Sequence, residues 1–587
     1  MAHELTSPVQ APEDRSPASP SSSRPDWWRR AVIYQVYVRS FADSDGDGIG
    51  DLRGARERLP HLAGLGADAV WLTPFYASPQ ADGGYDVADY RAVDPLFGDL
   101  ADADDLVRTA HELGLKVIVD IVPNHTSDRH PWFAAALAGR DGGPERARYH
   151  FRPGTGPDGA LPPNDWESVF GGPAWTRTAD GSWYLHLFAP EQPDLNWENQ
   201  EVRAEFESVL RFWLDLGVDG FRIDVAHGMV KADGLPDIGH REQVRLIGSQ
   251  QLPFFDQDGV HEIHRAWRRL LDGYGGERIA VAEAWAPSAE RLALYVRPDE
   301  LHQAFNFQFL NCAWDADALR RVIDDSLRAT TSVGAPTTWV LSNHDVVRHT
   351  TRYGAGPRGL RRARAAALLM LALPGSAYIY QGEELGLPEV TDLPAEVRQD
   401  PAFLRGDGQD GLRDGCRVPL PWSGDTPPYG FGPGGSWLPQ PPGWRELSVE
   451  AQTGDPDSML ELYRDALAVR RAHPALGAGE AVEWLPAPEG VLAFRRRAAG
   501  PGSGPWQGDL VCTVNTTGRP VALPAPGRVL LSSEPDRSAA TAADGGAGGR
   551  LPTPSRELPL GEPRGNPAGD GGESALIAAD SCIWWAI

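Results

Sequence analysis

The chain has 587 residues, 41% of them hydrophobic and 23% charged, which is typical of a soluble globular protein with more than one domain. Its formal net charge of −26 makes nucleic acids and anionic membranes unfavourable partners and leaves a neutral or cationic ligand as the expectation. The four cysteines are widely spread, and this spacing indicates neither a zinc site nor a disulfide framework.

The two low-complexity segments of the chain are rich in small residues and proline. Residues 1–25 are rich in Pro, Ser and Ala, and their composition predicts a disordered tail. Residues 534–574 are rich in Gly, Ala and Pro, and we expect a loop there. The N-terminus has no apolar signal region, and no apolar run approaches the ~18–20 residues of a membrane span. These patterns predict a cytoplasmic protein that binds no membrane.

Eight short apolar runs follow one another along the chain, and helical patterns separate most of them. The runs predict buried strands, which are AVIYQVYV (31–38), ADAVWL (67–72), LKVIVDIV (115–122), GFRIDV (220–225), RIAVAEAW (278–285), QAFNF (303–307), TTWVLS (337–342) and SAYIYQG (376–382). Alternating strands and helices favour a parallel sheet, and eight strands are the number that closes a (β/α)₈ barrel.

Two irregular stretches interrupt this alternation and indicate insertions. The first predicts a small inserted domain at 124–195, after the third strand, and the second predicts an irregular insertion at 386–457, after the eighth strand. Residues 458–473 have the pattern of one amphipathic helix that completes a barrel domain spanning 26–480. Short strand patterns then predict an all-β, sandwich-like domain at 481–587.

Acidic residues follow several of the predicted strands at their carboxyl ends. Asp120, Asp224 and Glu283 end the third, fourth and fifth strands, and Asp345 follows the seventh. In a barrel these groups meet at one mouth, where a pair of acids suits glycoside cleavage. Arg222 shares a strand face with Asp224 and is expected to keep it ionised at neutral pH. Glu283 must instead be protonated, so we expect burial and neighbouring acids to raise its pKa.

The motifs that carry these acids resemble those of a known family. DIVPNH (120–125), GFRIDVAH (220–227), EAW (283–285) and SNHD (342–345) are similar to the four principal sequence regions of the α-amylase superfamily. QPDLNW (192–197) and GEELG (382–386) resemble two subsidiary regions. The resemblance covers roughly 27–480 and is strongest to the α-glucosidase and oligo-1,6-glucosidase branch.

This resemblance implies a role for each matching residue. Asp224 would be the nucleophile, Glu283 the general acid and base, and Asp345 the group that grips the hydroxyls of the cleaved sugar. Arg222 would orient Asp224. Further contacts to this sugar are implied for His125, His344, Tyr85 and Phe188.

Two further motifs resemble those of the exo-acting members of the branch. DGGYD (82–86) supplies Asp82, and RDGCRVPLPW (413–422) supplies Arg413 as its expected partner, with Arg417 as a second choice. An Asp82–Arg413 pair would close the floor of the pocket behind a terminal glucose, which implies release of single glucose units.

The resemblance therefore implies a retaining exo-acting α-glucosidase, and its linkage preference rests on two conflicting cues. Val225, just after the nucleophile, is associated with α-1,6 activity, whereas DVAHGMVK and PFFDQDGVHEIHRAWR resemble enzymes that favour maltose-like α-1,4 substrates. The longer match favours α-1,4. The alternatives are an oligo-1,6-glucosidase, a transglycosylase or sugar isomerase on the same scaffold, and a non-catalytic binding subunit, which the complete set of acids disfavours.

A loop rich in aspartate, FADSDGDGIGDLRG (41–54), follows the first predicted strand. Counted from Asp43, positions 1 to 9 of this loop match the start of an EF-hand loop. Position 12 is Gly54 instead of the Glu of an EF-hand, so a helix–loop–helix calcium sensor is not supported. Relatives in this branch carry a calcium or magnesium ion after this strand. The resemblance implies a structural Ca²⁺ or Mg²⁺ bound by Asp43, Asp45, Asp47, the carbonyl of Ile49, and Asp51.

Overall fold

The computed structural model describes residues 26–406, 413–477, 479–500, 507–535 and 574–587. The predicted disorder of residues 1–25 falls outside this part of the chain, as does nearly all of the predicted loop at 534–574. Among the described helices, none is both long and apolar enough to cross a membrane.

Eight parallel strands form the central sheet, and each lies within one of the predicted apolar runs. Their side chains are buried on both faces of the sheet, as expected for near-continuous apolar runs in a parallel sheet. In chain order the strands are Val32–Val36, Ala69–Leu72, Lys116–Ile121, Gly220–Ile223, Ile279–Ala282, Gln303–Ala304, Thr338–Val340 and Ser376–Tyr380.

The sheet closes into a barrel. Hydrogen-bonded neighbours follow the chain from the first strand to the sixth on one side, and the first strand pairs with the eighth and the eighth with the seventh on the other. A parallel bridge between Phe305 and Thr338 joins the sixth strand to the seventh, and the Asn306 N–H donates to Thr338 O at 3.1 Å. The predicted (β/α)₈ barrel is therefore confirmed.

Helices surround the barrel, and local sequence signals fix their ends. The Asp51 side chain caps the first helix by accepting from the Gly54 N–H, and Gly66 ends it at φ +104°. The α-helices are Leu52–Leu65, Leu100–Glu112, Pro131–Ala138, Gln200–Leu216, Val260–Asp272, Ala289–Leu294, Phe307–Leu310, Ala316–Ser332, His349–Arg352, Gly356–Ala372, Pro401–Arg405, Val449–Gln452 and Met459–Ala472. Short 3₁₀ helices lie at Trp27–Arg29, Val38–Ser40, Arg146–Arg148, Pro157–Gly159, Gln243–Leu246, Ala395–Val397, Asp414–Cys416 and Pro442–Leu447.

Smaller antiparallel sheets form in the segments that follow the second and third barrel strands. Tyr76–Ala77 pairs with Asp89–Val93 in the segment after the second strand. After the third strand, Ser182–Leu185 forms the centre of an antiparallel sheet between Phe151–Pro153 and Trp175–Arg177. This sheet lies within the predicted insertion, and its apolar residues pack in one cluster with residues of the segment after the fourth strand.

The described residues after 480 form an all-β domain, as predicted. Five strands pair in the order Glu483–Trp484, Val491–Arg496, Leu510–Asn515, Ser581–Ala586 and Arg528–Ser532. Val521–Pro524 pairs with Ser574–Ile577 in a second sheet. Residues of both sheets, including Leu523 and Trp585, share one apolar cluster, so the two sheets face each other as in a sandwich.

Candidate active site

Three carboxyl groups surround one guanidinium at the carboxyl end of the barrel. Arg222 donates through Nη1 to Asp120 Oδ1 at 3.0 Å and to Asp224 Oδ1, and its Nη2 lies 3.9 Å from Glu283 Oε2. None of the four side chains is more than 10% exposed. We call Asp120, Arg222, Asp224 and Glu283 the Arg222 cluster. The structure thus brings the predicted nucleophile and the predicted general acid to the same counter-charge.

The parallel sheet itself positions the two predicted catalytic acids. The Asp224 N–H donates to Ile121 O at 2.8 Å, and the Glu283 N–H donates to Ile223 O at 3.0 Å. Each acid therefore continues the strand ladder by one residue beyond the end of its strand. The barrel sheet therefore fixes the backbone of both acids. A site that holds reacting groups in place requires such rigidity.

A strained turn directly after Asp224 brings a backbone N–H group to the Glu283 side chain. Val225, directly after Asp224, has φ +43°, a left-handed conformation that β-branched residues rarely adopt. This turn aims the Val225 N–H at Glu283 Oε2, to which it donates at 2.7 Å. Strain of this kind persists only where the surrounding structure enforces it, and here it fixes the orientation of Glu283.

Burial dominates the ionisation of the Arg222 cluster. Burial raises the pKa of Asp224 to about 7, although Arg222 opposes the shift, and the pKa of Asp120 also rises to about 7 for the same reason. Burial therefore works against the ionisation of Asp224 that Arg222 favours. Burial and the charge of Asp345 raise the pKa of Glu283, as predicted. Because these acids interact closely, they titrate together and retain a proton near neutral pH.

Asp345 lies in the opposite electrostatic environment. Its Oδ1 accepts from Arg417 Nη2 at 3.0 Å and Arg413 Nη1 at 3.3 Å, and its Oδ2 lies 3.2 Å from His344 Nε2. Burial opposes its ionisation, but these neighbours hold the pKa of Asp345 well below the ordinary range. Burial lowers the pKa of His344, so this ring is neutral. Asp345 is therefore a permanent carboxylate, suited to accept hydrogen bonds from hydroxyl groups.

The predicted pair at the pocket floor is present and has a third member. Arg413 Nη2 donates to Asp82 Oδ1 at 2.7 Å and to Asp400 Oδ1 at 2.9 Å, and its Nε lies 3.1 Å from Asp400 Oδ2. Arg417, the second choice for this role, instead contacts Asp345 and donates through Nε to His344 O at 2.8 Å. Asp82 and Asp400 thus both bind Arg413, which also contacts Asp345.

His125 and Phe188 line the side of the cavity next to this floor. Gln192 Nε2 donates to His125 Nε2 at 3.0 Å and to Asp82 Oδ2 at 3.2 Å, so one amide connects the histidine to the floor. Burial lowers the pKa of His125 to about 4, which keeps the ring neutral. The Phe188 ring lies 5.1 Å from that of His125 between centroids.

Tyr85 lies in the cavity against two predicted site residues. Its ring stacks on His344 at a centroid distance of 5.3 Å and an interplanar angle of 8°, and its hydroxyl donates to Asp120 Oδ2 at 3.0 Å. Together the predicted residues enclose a cavity of about 420 Å³. Its lining consists of Asp82, Tyr85, His125, Val169, Phe170, Phe188, Arg222, Asp224, Val225, His227, Val244, Ile247, Phe255, Glu283, Trp285, His344, Asp345, Ala402 and Arg413.

Comparison with known proteins identifies the family. The alpha amylase catalytic domain matches residues 35–479, which is more than half of the chain. This chain belongs to the alpha-amylase family. A probable alpha-glucosidase of Rhizobium meliloti (strain 1021) is 41% identical over 495 residues, covering 80% of this chain and 87% of its own length. An oligo-1,6-glucosidase of Parageobacillus thermoglucosidasius is 36% identical over 480 residues, covering 76% and 84%.

A solved structure extends the likeness over nearly the whole chain. The alpha-glucosyl transfer enzyme XgtA is 35% identical and superposes with a TM-score of 0.79, covering 95% of this chain and 99% of its own. The predicted membership of the alpha-amylase family and the glycoside hydrolase class are therefore confirmed.

Several residues of this alpha-amylase family site escaped the sequence analysis. Asp400 contacts Arg413 across a segment with no periodic pattern, and Gln192, in the QPDLNW motif, binds Asp82. Trp285 lies in the EAW motif, two residues after Glu283, and its side chain lowers the pKa of that acid. The motifs that contain Gln192 and Trp285 could have indicated that these residues belong to the site, whereas no sequence motif indicates Asp400.

The aspartate-rich loop at residues 43–51, which we call the acidic loop, packs beside the first barrel helix. The oxygens of Asp43, Asp45 and Asp51 lie within 4.8 Å of one another, whereas Asp47 is not part of this group. Backbone amides contribute as well, since Asp43 accepts from the Gly46 N–H at 2.6 Å and the Gly48 N–H at 3.0 Å.

The side chains of Asp51 and Asp47 also accept hydrogen bonds from backbone N–H groups of this region. The Asp51 side chain accepts from the Gly54 and Ser44 N–H groups, each at 2.7 Å, and so links the loop to the helix. Asp47 accepts from the Ile49 N–H at 2.8 Å. Partial burial and then its like-charged neighbours raise the pKa of Asp47. The set of hard oxygen atoms fits a divalent cation such as Ca²⁺.

Proposed function

We propose that the protein is a retaining, exo-acting α-glucosidase that releases α-glucose from the non-reducing end of short α-glucosides. The observation that carries this proposal is the arrangement of one cavity, in which the Arg222 cluster faces the Asp82–Arg413 floor. A floor closed by a buried ion pair leaves room for a terminal sugar but blocks continuation of the chain beyond it.

Asp224 and Glu283 would divide the chemistry between them. Asp224 attacks the anomeric carbon, while Glu283 gives its proton to the glycosidic oxygen, so that the leaving group departs as an alcohol. Glu283 then takes a proton from water, which attacks the same carbon and releases Asp224. A separation of about 5–5.5 Å between the carboxyl groups would give retention of configuration.

The surrounding residues supply binding and orientation. Asp345, as a carboxylate, would accept hydrogen bonds from the hydroxyls of the reacting glucose, with neutral His125 and His344 beside it. Arg222 orients Asp224. The proton that the cluster retains would lie on Glu283, because Asp224 already accepts from Arg222 and Glu283 has a raised pKa.

Maltose-like α-1,4 glucosides are the favoured substrates in this proposal, and α-1,6 glucosides are the alternative. The relative named probable alpha-glucosidase has the higher identity of the two that we compared, whereas Val225 favours α-1,6 activity. A second alternative is glucosyl transfer on the same residues, which the similarity to the alpha-glucosyl transfer enzyme XgtA favours.

The test measures product formation over time with purified protein. We expect glucose from maltose, the α-anomer appearing first by NMR with phenyl α-glucoside, whose leaving group is not a sugar, and a loss of turnover of about 10⁴-fold or more in Asp224→Asn and a comparable loss in Glu283→Gln. Asp299→Asn, at an exposed ion pair with Arg265, is the matched control and should keep full activity. Full turnover in Asp224→Asn would refute the mechanism, and first appearance of the β-anomer would refute retention.

We also propose that the acidic loop binds a structural divalent cation, Ca²⁺ or Mg²⁺. Asp43, Asp45 and Asp51 supply clustered carboxylate oxygens, and Asp47 with the carbonyl of Ile49 would complete the ligand set. An ion there would neutralise part of the loop and tie it to the first barrel helix through Asp51.

A further inference from the structure

Gln35 is a buried amide on a face of the first barrel strand that is otherwise apolar. It lies within Val32–Val36 and is 1% exposed. Ile33 shares this face, because it lies two residues earlier, and it packs in an apolar cluster with Trp71 and Tyr378 of the two neighbouring strands. Burying an amide beside such residues costs free energy unless a hydrogen-bond partner compensates it. The hydrogen-bond partner of Gln35 therefore explains why an amide is placed here.

The partner of Gln35 is the ring of His344, one of the residues that line the cavity. Gln35 Nε2 lies 2.7 Å from His344 Nδ1, and both side chains are buried. Tyr85 and Tyr37 both stack on the His344 ring, at centroid distances of 5.3 and 5.7 Å and interplanar angles of 8° and 22°. This stacking fixes the plane of the ring, but it does not determine which ring nitrogen carries the proton.

The second ring nitrogen of His344 faces an anion. His344 Nε2 lies 3.2 Å from Oδ2 of Asp345, which is a carboxylate. Burial and then nearby arginines lower the pKa of His344, against the opposing effect of Asp345, so the ring carries only one proton. A bare Nε2 would place its lone pair against the carboxylate, which is unfavourable, so the proton belongs on Nε2. Nδ1 must then accept, and only the NH₂ of the Gln35 amide can donate to it.

The Nε2–H group of His344 is left for a ligand. Within the described part of the chain, this nitrogen has no aligned hydrogen-bond partner. His344 and Asp345 both line the cavity, so a sugar hydroxyl between them could accept from Nε2–H and donate to the Asp345 carboxylate. With the proton on Nδ1 instead, His344 could not donate from this position, and the hydroxyl would lose one of its two partners.

We propose that Gln35 is a positioning residue, which donates to His344 Nδ1 and so holds the ring with its single proton on Nε2, toward the cavity. Gln35 is not among the described residues that line the cavity, so it acts through the ring and not on the sugar. The catalytic consequence rests on the proposed function, whereas the position of the proton can be measured without any substrate.

The first experiment locates the proton by ¹⁵N NMR of the full-length enzyme labelled at histidine, because the shift of a ring nitrogen reports whether it carries a proton. The signals of His344 are those that His344→Ala lacks. We expect Nε2 to be protonated and Nδ1 to be bare in the wild type, and the Nδ1 signal to move in Gln35→Met, which has no donor. A proton on Nδ1 in the wild type, or an unmoved Nδ1 signal in Gln35→Met, would overturn the inference. The wild-type measurement stands even where a variant folds poorly.

The second experiment tests whether Gln35 acts through His344. Gln35→Met leaves Nδ1 buried without a donor, and the ring can satisfy Nδ1 only by taking its proton there or by turning, so Nε2–H is lost from the cavity. We therefore expect kcat/KM for maltose to fall by about tenfold or more. In the His344→Ala background, Gln35→Met should cost less than about twofold, because the ring through which it acts is absent. Losses that add in the double variant would refute the assignment.

Gln303→Met is the matched control, because Gln303 is also a buried amide on a barrel strand. Its Nε2 donates to Trp28 O at 2.7 Å, and its Oε1 accepts from the Tyr378 hydroxyl at 2.8 Å. We expect this variant to melt at a lower temperature but to keep kcat/KM within about twofold and the His344 signals unmoved. An equal loss of kcat/KM in both variants would mean that any buried amide of the barrel has this effect, which would also refute the assignment. Absence of glucose release by the wild type would instead refute the proposed function and leave the NMR result intact.

Discussion

The Arg222 cluster and the acidic loop each gather aspartates, but they manage the charge differently. In the cluster, three buried carboxyls share one guanidinium, and burial raises the pKa of Asp224 and Asp120 to about 7. In the acidic loop, Asp43 and Asp51 accept hydrogen bonds from backbone N–H groups. In the acidic loop, the carboxylates accept hydrogen bonds from nearby backbone N–H groups. In the cluster, carboxyl groups face a cavity.

This contrast shows that the count of acidic residues does not locate the chemistry. The loop carries the denser run of aspartates along the sequence, yet the cluster, assembled from three strands, contains the groups with strongly shifted pKa values. Strongly perturbed titration in a cavity is characteristic of groups that move protons. We therefore expect that removing an aspartate changes the melting temperature in opposite directions in the two regions.

Among the residues that support the two predicted catalytic acids, the largest effect is expected from removal of the cluster's positive charge. Arg222→Met should lower kcat/KM by about 10³-fold, because loss of one partner leaves buried carboxyls uncompensated. The guanidinium lowers the pKa of Asp224, so its loss should raise that pKa and move the acidic limb of the pH–rate profile to higher pH. Steady-state kinetics across pH measure both changes.

Arg222→Lys is the informative companion to that variant. It keeps a charge but cannot reach Asp120 and Asp224 together, so we expect an intermediate loss and a smaller shift of the acidic limb. Arg328→Met, at an exposed ion pair with Asp325, should change neither quantity. An acidic limb that stays fixed in Arg222→Met would show that this arginine does not control the ionisation of Asp224.

A smaller loss is expected at the pocket floor. Asp82→Asn should lower kcat/KM for maltose by about 10²-fold, since a buried partner of Arg413 and of the terminal glucose is lost. Asp400→Asn should cost about tenfold, because Asp400 reaches the pocket floor through Arg413. A larger loss in Asp400→Asn than in Asp82→Asn would reverse the roles that we give to these two acids.

The barrel and the predicted catalytic acids could be anticipated from local patterns. Each of the eight apolar runs contains one strand, and strand ends lead directly to Asp120, Asp224 and Glu283, because a parallel sheet delivers its carboxyl ends to one mouth. The left-handed turn at Val225 could not be anticipated. Nothing in a Val residue signals a positive φ, which the surrounding packing enforces.

Loop contacts were the least predictable part of the site. Asp400 contacts Arg413, which lies 13 residues further along the chain, and Val244 and Ile247 reach the cavity from a segment that has no repeating pattern. Such contacts depend on tertiary packing of long loops rather than on the periodicity of strands or helices. The raised pKa of Asp224 could not be anticipated for a similar reason, because its degree of burial is a property of the assembled site.

Stability should change in opposite directions in the two regions. Because the folded-state pKa of Asp224 lies above its ordinary value, ionisation costs stability as pH rises from about 4 to 7. Asp224→Asn removes this cost and should raise the melting temperature by a few degrees at pH 7.5, with a smaller gain at pH 5. Asp51→Ala removes a helix cap and should lower the melting temperature at both pH values.

Differential scanning calorimetry at the two pH values measures these shifts. Asp299→Asn, with its exposed side chain, serves as the control that should change little. A gain in Asp224→Asn that is as large at pH 5 as at pH 7.5 would mean that ionisation is not its cause. A fall in the melting temperature of Asp224→Asn at pH 7.5 would mean that the Asp224 carboxylate stabilises the fold. The two regions would then not differ in the way that we expect.

The smallest effect is expected from removal of a divalent cation from the acidic loop. Treatment with EDTA should lower the melting temperature by a few degrees and leave the turnover of the protein that remains folded unchanged, because the loop stiffens the barrel rather than taking part in the chemistry. Added Ca²⁺ or Mg²⁺ should restore the melting temperature. Asp45→Asn, which removes one clustered carboxylate, should abolish the response to both treatments. Complete loss of turnover in EDTA with an unmoved melting temperature would place the ion in the reaction itself and remove the distinction between the two regions.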